Sequence, residues 1–97
     1  MAVPPDVLFH GTPARNVASI LDSGLNSGVR HYVHMSQDTM TAEAVGLRGT
    51  TKAAILRIDT EQMKKDGLFF YLAENGVWLV EGVIDAKYIK VLDYRDK

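Results

Sequence analysis

Two histidines stand at the ends of short apolar runs. His10 closes Val7-Leu8-Phe9-His10 and is followed at once by Gly11 and Thr12, while His34 lies within Tyr32-Val33-His34-Met35-Ser36. A neutral imidazole both donates and accepts hydrogen bonds, which suits ribose hydroxyls and a carboxamide. If the two runs are strands lining one cleft, His10, Thr12, His34 and Ser36 bring together two imidazoles and two hydroxyls. Gly11 beside them lets a ligand approach the backbone. Taken singly, each histidine reads as a packed or an exposed residue, and only their pairing points to a site.

Other chemistries find no footing. The order of Gly46-Leu47-Arg48-Gly49-Thr50-Thr51-Lys52 is not that of a phosphate-binding P-loop, and neither a dinucleotide fingerprint nor a serine nucleophile elbow is present. His10, His31 and His34 lack the spacing of a metal-binding helix, and the chain has no cysteine, so no metal site is expected. Eleven Lys and Arg against twelve Asp and Glu give a formal charge of −1. Lys52, Arg57, Lys64, Lys65, Lys87 and Lys90 are dispersed rather than striped, which argues against a domain built to grip nucleic acid.

The elements that must position the histidines can be read from pattern. Val7 to His10 predicts a buried strand. Thr12 as N-cap and Pro13 at the first helical position predict a helix through Val17, Ile20 and Leu21, closed by Gly24. Ser27 to Arg30 reads as a loop, and Tyr32 to Ser36 as a strand whose alternation puts Tyr32, His34 and Ser36 on one face. Asp38 or Thr39 caps a short helix through Ala42 and Val45, ended by Gly46, with Arg48 just past it. Ala53 to Asp59 is a strand, and Thr60 to Asp66 one or two helical turns stopped by Gly67. Phe69–Leu72 and Val77–Val80 flank Glu74-Asn75-Gly76 as a hairpin, and Tyr88 to Asp93 is a last strand.

Ninety-seven residues, 46% hydrophobic and 24% charged, make one folded domain spanning 1–97. The fold class expected is α+β, a small mixed sheet with short flanking helices. No membrane span or signal peptide is read, so the expected location is the cytoplasm.

The order of motifs resembles the catalytic lobe of the Tpt1/KptA RNA 2'-phosphotransferases. Leu8-Phe9-His10-Gly11-Thr12, Ile20 with Gly24-Leu25, and Arg30 with Val33-His34-Met35-Ser36 match its start. Ala44-Val45-Gly46-Leu47-Arg48, Ile55 to Asp59, Met63 with Asp66-Gly67, Phe70-Tyr71 and Asn75-Gly76-Val77-Trp78-Leu79 follow in the family's order. The resemblance implies an ADP-ribosyltransferase-like fold that uses NAD without a metal and moves an RNA 2'-phosphate onto it, releasing nicotinamide. It places a His-His-apolar triad on His10, His34 and Val77. His10 would bind the nicotinamide ribose, His34 would sit on the nicotinamide side, and Gly11, Thr12 and Ser36 would shape the pocket. Arg30 would be an anion partner of NAD, and Arg48 would contact the substrate phosphate. His34 and Arg48 are thus the expected catalytic residues.

The resemblance also has a departure. Full-length members carry an N-terminal RNA-binding lobe contributing an Arg-His pair and a further Arg to catalysis, which have no counterpart in this sequence; Val83-Ile84 also replaces the family's Val-Pro. The expectation is therefore an NAD-binding transferase domain with an altered acceptor, such as a toxin or phage effector, with weak or no nucleic-acid binding by this chain alone and with a protein as possible partner or acceptor. The alternatives are a non-catalytic scaffold, for example a mobile-element inhibitor of a CRISPR complex, and a fragment or split subunit of a true phosphotransferase, completed by another chain.

Overall fold

A computed structural model of the chain describes residues 2–28 and 31–97. The first run forms β1 (Leu8–Pro13), which pairs antiparallel with β4 (Lys52–Ile58), setting Leu8 against Ile58, His10 against Leu56 and Thr12 against Ala54. β4 pairs on its other edge with β8 (Ile89–Asp96), across a register shift between Ile55 and Leu56. A second sheet of three strands has β6 (Trp78–Glu81) between β3 (Tyr32–Met35) and β5 (Tyr71–Leu72). A third, of two short strands, joins β2 (Leu25–Asn26) to β7 (Val83–Ile84). The α+β class and short helices read from pattern are present, with the strands divided among three antiparallel sheets.

Why Ala53-Ala54-Ile55-Leu56 reads as an unbroken apolar run is clear from its surroundings. Ala54, Leu56 and Ile58 face the main core with Leu8, Val33, Met35, Phe70, Trp78 and Ile84, while the opposite face of the sheet is covered by α2 (Thr39–Gly46), so all four residues are buried. Covered on both faces, the strand cannot alternate. The Asp38 carboxylate starts α2, accepting from the Thr41 backbone N–H at 2.6 Å and from its hydroxyl at 3.1 Å. These bonds favour the charged carboxyl and hold it below its ordinary value.

Two glycines let α2 lie directly on β1. A side chain on Gly11 would collide with the Ala42 carbonyl, and one on Gly46 would come within 2.9 Å of both Ala53 Cβ and the Thr12 backbone nitrogen. Gly46 ends the helix as read, as its last helical residue and without a left-handed backbone; Leu47 at φ −86° is the cap. Its small size serves packing.

The start of the first helix also differs from expectation. Thr12 stays in β1 and makes no capping bond; its Oγ1 accepts weakly from Asn16 Nδ2 at 3.4 Å. Pro13 ends the strand at ψ 138°, a 3-10 turn spans Ala14–Asn16, and α1 covers only Val17–Ser23. Pairing with Ala53 and Ala54 holds Thr12 and Pro13 extended, so tertiary structure overrides the local cap signal. Gly24 closes α1 as read, with φ +89°. Helix α3 (Thr60–Lys65) is capped by Asp59, whose carboxylate accepts from Gln62 N–H at 3.1 Å.

The hairpin forms around Ala73-Glu74-Asn75-Gly76, with Gly76 at φ +83° and its N–H on the Ala73 carbonyl at 2.9 Å. Asn75 itself has no positive φ, so the loop is longer than a two-residue Asn-Gly turn and β5 is correspondingly short.

The glycine at β1 makes a sharp expectation. Gly11→Ala should cost at least about 2 kcal/mol through overpacking against the α2 backbone. Gly49→Ala, at φ +69° in open space, should cost only about 1–2 kcal/mol of backbone strain. Urea unfolding of the two variants checks this; a Gly11→Ala midpoint equal to wild type would show that α2 does not rest on β1 as described.

Candidate functional site

The two three-stranded sheets meet at one point. Phe9 and Ser36 exchange both backbone hydrogen bonds at 2.8 Å, and β1 and β3 share no ladder beyond that bridge. His10 and His34 therefore stand where the strands part. The His10 Nδ1–H donates to the His34 carbonyl at 2.7 Å, and the His34 Nδ1–H donates to the Tyr32 carbonyl at 3.1 Å. A carbonyl can only accept, so both rings carry their hydrogen on Nδ1 and each keeps Nε2 as a lone-pair acceptor when neutral.

Burial acts on the His10 ring. His10 lies on the same face of β1 as the fully buried Leu8, and desolvation pushes its pKa below the ordinary imidazole value of 6.5, outweighing the carbonyl bond that favours the charged ring. The nearby His34 ring acts in the same lowering direction. His10 is thus held neutral at physiological pH.

A cavity of about 250 Å³ opens at the fork. One wall is strand, with His10, Gly11, His34 and Ser36; the second is the face of α2 carrying Thr41, Val45 and, just beyond it, Arg48; Asn75 and Val77 close it from the hairpin. A second hollow of about 320 Å³ follows the small polar side chains Thr12, Asn16, Ser19, Asn26 and Ser27. A third, of about 300 Å³, lies between them and also touches Tyr32 and Arg48. His10 borders all three, so they meet at its ring. Their sizes are those of small-molecule sites.

The expected residues fall into place unevenly. His10, Gly11, His34, Ser36, Arg48 and Val77 share the first cavity, whereas the buried Thr12 lines the other two. Arg30 lies outside the described residues. Gly11 borders the cavity, and its missing side chain also makes room for the Ala42 carbonyl. Arg48 is exposed and forms no ion pair among the described residues. Lys52 stands over the Tyr94 ring and does not join it. His31 is exposed and borders none of the three hollows.

Sequence reasoning missed Thr41, Val45 and Asn75. Thr41, Val45 and Arg48 are spaced four and three residues apart, one side of a helix, so counting back from Arg48 finds the first two. Asn75 was read as a turn residue and as part of a family motif, without a place in the site.

The sequence model of the family described as "RNA 2'-phosphotransferase, Tpt1 / KptA family" matches residues 1–82. The chain belongs to this family. Among curated relatives, the "Probable RNA 2'-phosphotransferase" of Pseudomonas fluorescens strain Pf-5 is 52% identical over 89 residues, covering 92% of this chain and 48% of that protein. The protein of the same name from Burkholderia lata is 45% identical over 92 residues, covering 95% and 46% respectively. That from Escherichia coli K12 is 48% identical over 80 residues, covering 82% and 43%. This Tpt1/KptA chain spans about half the length of the curated relatives it matches. The comparisons lend no support to a phage effector or a CRISPR inhibitor. Among the described residues no helix is long and apolar enough to cross a membrane, and no three His, Asp or Glu side chains gather as a metal site.

The depressed His10 pKa predicts a pH dependence with a definite sign. As pH falls below 6.5 the unfolded chain takes up the His10 proton before the folded chain does. The stability that depends on neutral His10 is full above that value and declines as pH drops toward the lower native one. The Asp38 carboxylate, which caps α2, and the Asp66 carboxylate, which accepts from the Tyr88 hydroxyl and the Gln62 amide, are held below 3.8, outside this window. His10→Asn, whose amide can still donate to the His34 carbonyl, should flatten the decline in urea unfolding measured from neutral pH into the acid limb; an unchanged slope would place the titration elsewhere.

Proposed function

We propose that this chain is the NAD-binding half of the Tpt1/KptA phosphotransfer machinery, a single unit over residues 1–97 working in the cytoplasm on an ADP-ribosyltransferase-like plan. The observation that supports it best is the pair of Nδ1–H rings at the fork, which offers two Nε2 acceptors where a ribose can place two hydroxyls. His10 takes the nicotinamide ribose and His34 the nicotinamide side. Val77 covers the ring, while Gly11, Thr12 and Ser36 shape the pocket. The polar hollow of Thr12, Asn16, Ser19, Asn26 and Ser27 suits the remainder of the dinucleotide. Arg30, by family resemblance, is a partner for its pyrophosphate.

In the reaction the bond between ribose carbon and nicotinamide breaks, its electron pair leaving with the nicotinamide. A phosphate oxygen of the acceptor then bonds to the same carbon. Neutral imidazoles fit this chemistry, because an imidazolium beside the ribose would oppose its developing positive charge. Arg48 meets the phosphate, a task suited to a planar guanidinium with paired donors. Among the described residues it is the one Lys or Arg on the first cavity. That shortage of cations among the described residues speaks against removal of an RNA 2'-phosphate by this chain unaided, since positioning a phosphate dianion calls for several.

NAD held at about a hundred times its dissociation constant should add about 2.7 kcal/mol and raise the melting midpoint by several degrees. His34→Ala should weaken calorimetric NAD binding while leaving the chain folded. No heat and no shift at millimolar NAD would remove the reading, and a His34→Ala chain that binds NAD as wild type does would take His34 out of the site.

With NAD and a 2'-phosphorylated oligonucleotide, the 97-residue chain by itself should leave the RNA phosphorylated. Removing one preorganised donor commonly costs about a hundredfold or more in rate, and among the described residues Arg48 is the one cation on the cavity. Rapid dephosphorylation by the isolated chain would contradict this assignment of charges.

A further inference from the structure

The first cavity has an uneven distribution of hydrogen-bonding groups. His10 and His34 present lone pairs from the strand wall, because both Nδ1–H groups are spent on backbone carbonyls. Across from them stand Arg48, which only donates, and Asn75 on the hairpin. The Asn75 side chain is already half committed: its Oδ1 accepts the Val77 backbone N–H at 3.1 Å. With its oxygen engaged by the turn, the amide keeps an Nδ2 amine whose two hydrogens make no hydrogen bond among the described residues. Asn75 and Arg48 border the same space of about 250 Å³.

Resting on the NAD reading above, we propose that Asn75 is a substrate-binding residue: its Nδ2 amine is the second donor, beside Arg48, for a phosphate monoester carried by the acceptor. The site then sorts its ligands by chemistry. Hydroxyls of the NAD ribose meet the imidazole acceptors, and the anion meets the donors on the facing side. The same side chain fixes the backbone at Val77, so the acceptor contact and the apolar wall of the NAD pocket depend on one turn.

Asn75→Asp separates these roles, because a carboxylate oxygen still accepts the Val77 N–H while the donor becomes a negative charge. Calorimetric titration with uridine 2'-monophosphate, uridine and NAD in turn gives the readout; uridine is chosen so that the probe carries no adenine for the NAD site. Wild type should bind the nucleotide more tightly than uridine. Asn75→Asp should weaken nucleotide binding about tenfold or more and change NAD binding less than about twofold, since a charge-assisted bond is replaced by like-charge repulsion. In the wild-type chain the Asn75 side-chain amide resonances should also move during the nucleotide titration, a readout that needs no variant.

Equal nucleotide affinity in wild type and Asn75→Asp overturns the proposal, as do stationary amide resonances. A loss of NAD binding as large as the loss of nucleotide binding assigns Asn75 to the dinucleotide and overturns it too. Wild type binding NAD but not distinguishing the nucleotide from uridine sinks this inference while leaving the NAD reading in place. Failure to bind NAD at all sinks the reading on which it rests.

Discussion

The two hydrogen bonds between Phe9 and Ser36 hold one three-stranded sheet to the other, and the site exists because pairing of β1 with β3 stops there. Had the ladder continued, the backbone groups near His10 and His34 would have satisfied one another and no space would have opened. Instead the His34 carbonyl is met by the His10 ring, a side chain taking the place of a backbone donor. That substitution sets the tautomer of His10, ties it to β3 and leaves its second nitrogen for a ligand. A backbone group that must find a partner near the core thus prepares the chemistry of the site.

The other walls depend on how closely α2 can approach. Gly11 and Gly46 remove the side chains that would otherwise separate strand from helix, so Thr41, Val45 and Arg48 come up against the histidines. On the far side Arg95 binds Glu43 of α2 at 2.8 Å and Asp93 of β8 at 2.9 Å, linking helix and sheet. The hairpin closes the third side, its tip shaped by Gly76 and by the Asn75 oxygen on Val77. Each wall comes from a different stretch of chain, and only the fold of the whole brings them together.

Some of this was legible in the residues themselves. Apolar runs, turn glycines and capping acids locate β1, β3, β4, α2, α3 and the hairpin, because those signals act within a few residues. Thr12-Pro13 misled because pairing with β4 outweighs a local cap. The two-residue strands β2 and β7 carry no periodic signal, existing through the contact of Leu25 with Ile84. The room that Gly11 makes for the Ala42 carbonyl is not legible, because a sequence cannot show which neighbour needs it. His10, His34 and Arg48 stand out by motif as site residues, whereas Asn75, though part of a matched motif, does not, since its place on the cavity depends on where the hairpin folds.

The central claim is that two rings, each donating its Nδ1–H to a backbone carbonyl, present Nε2 to NAD. Long-range proton–nitrogen spectra of the histidine side chains test it directly. At neutral pH His10 should show a protonated Nδ1 and a lone-pair Nε2, the His34 Nδ1 should carry a hydrogen, and NAD should move both Nε2 signals while leaving the exposed His31 unchanged. A charged His10, a ring with its only hydrogen on Nε2, or rings that ignore NAD would contradict the account.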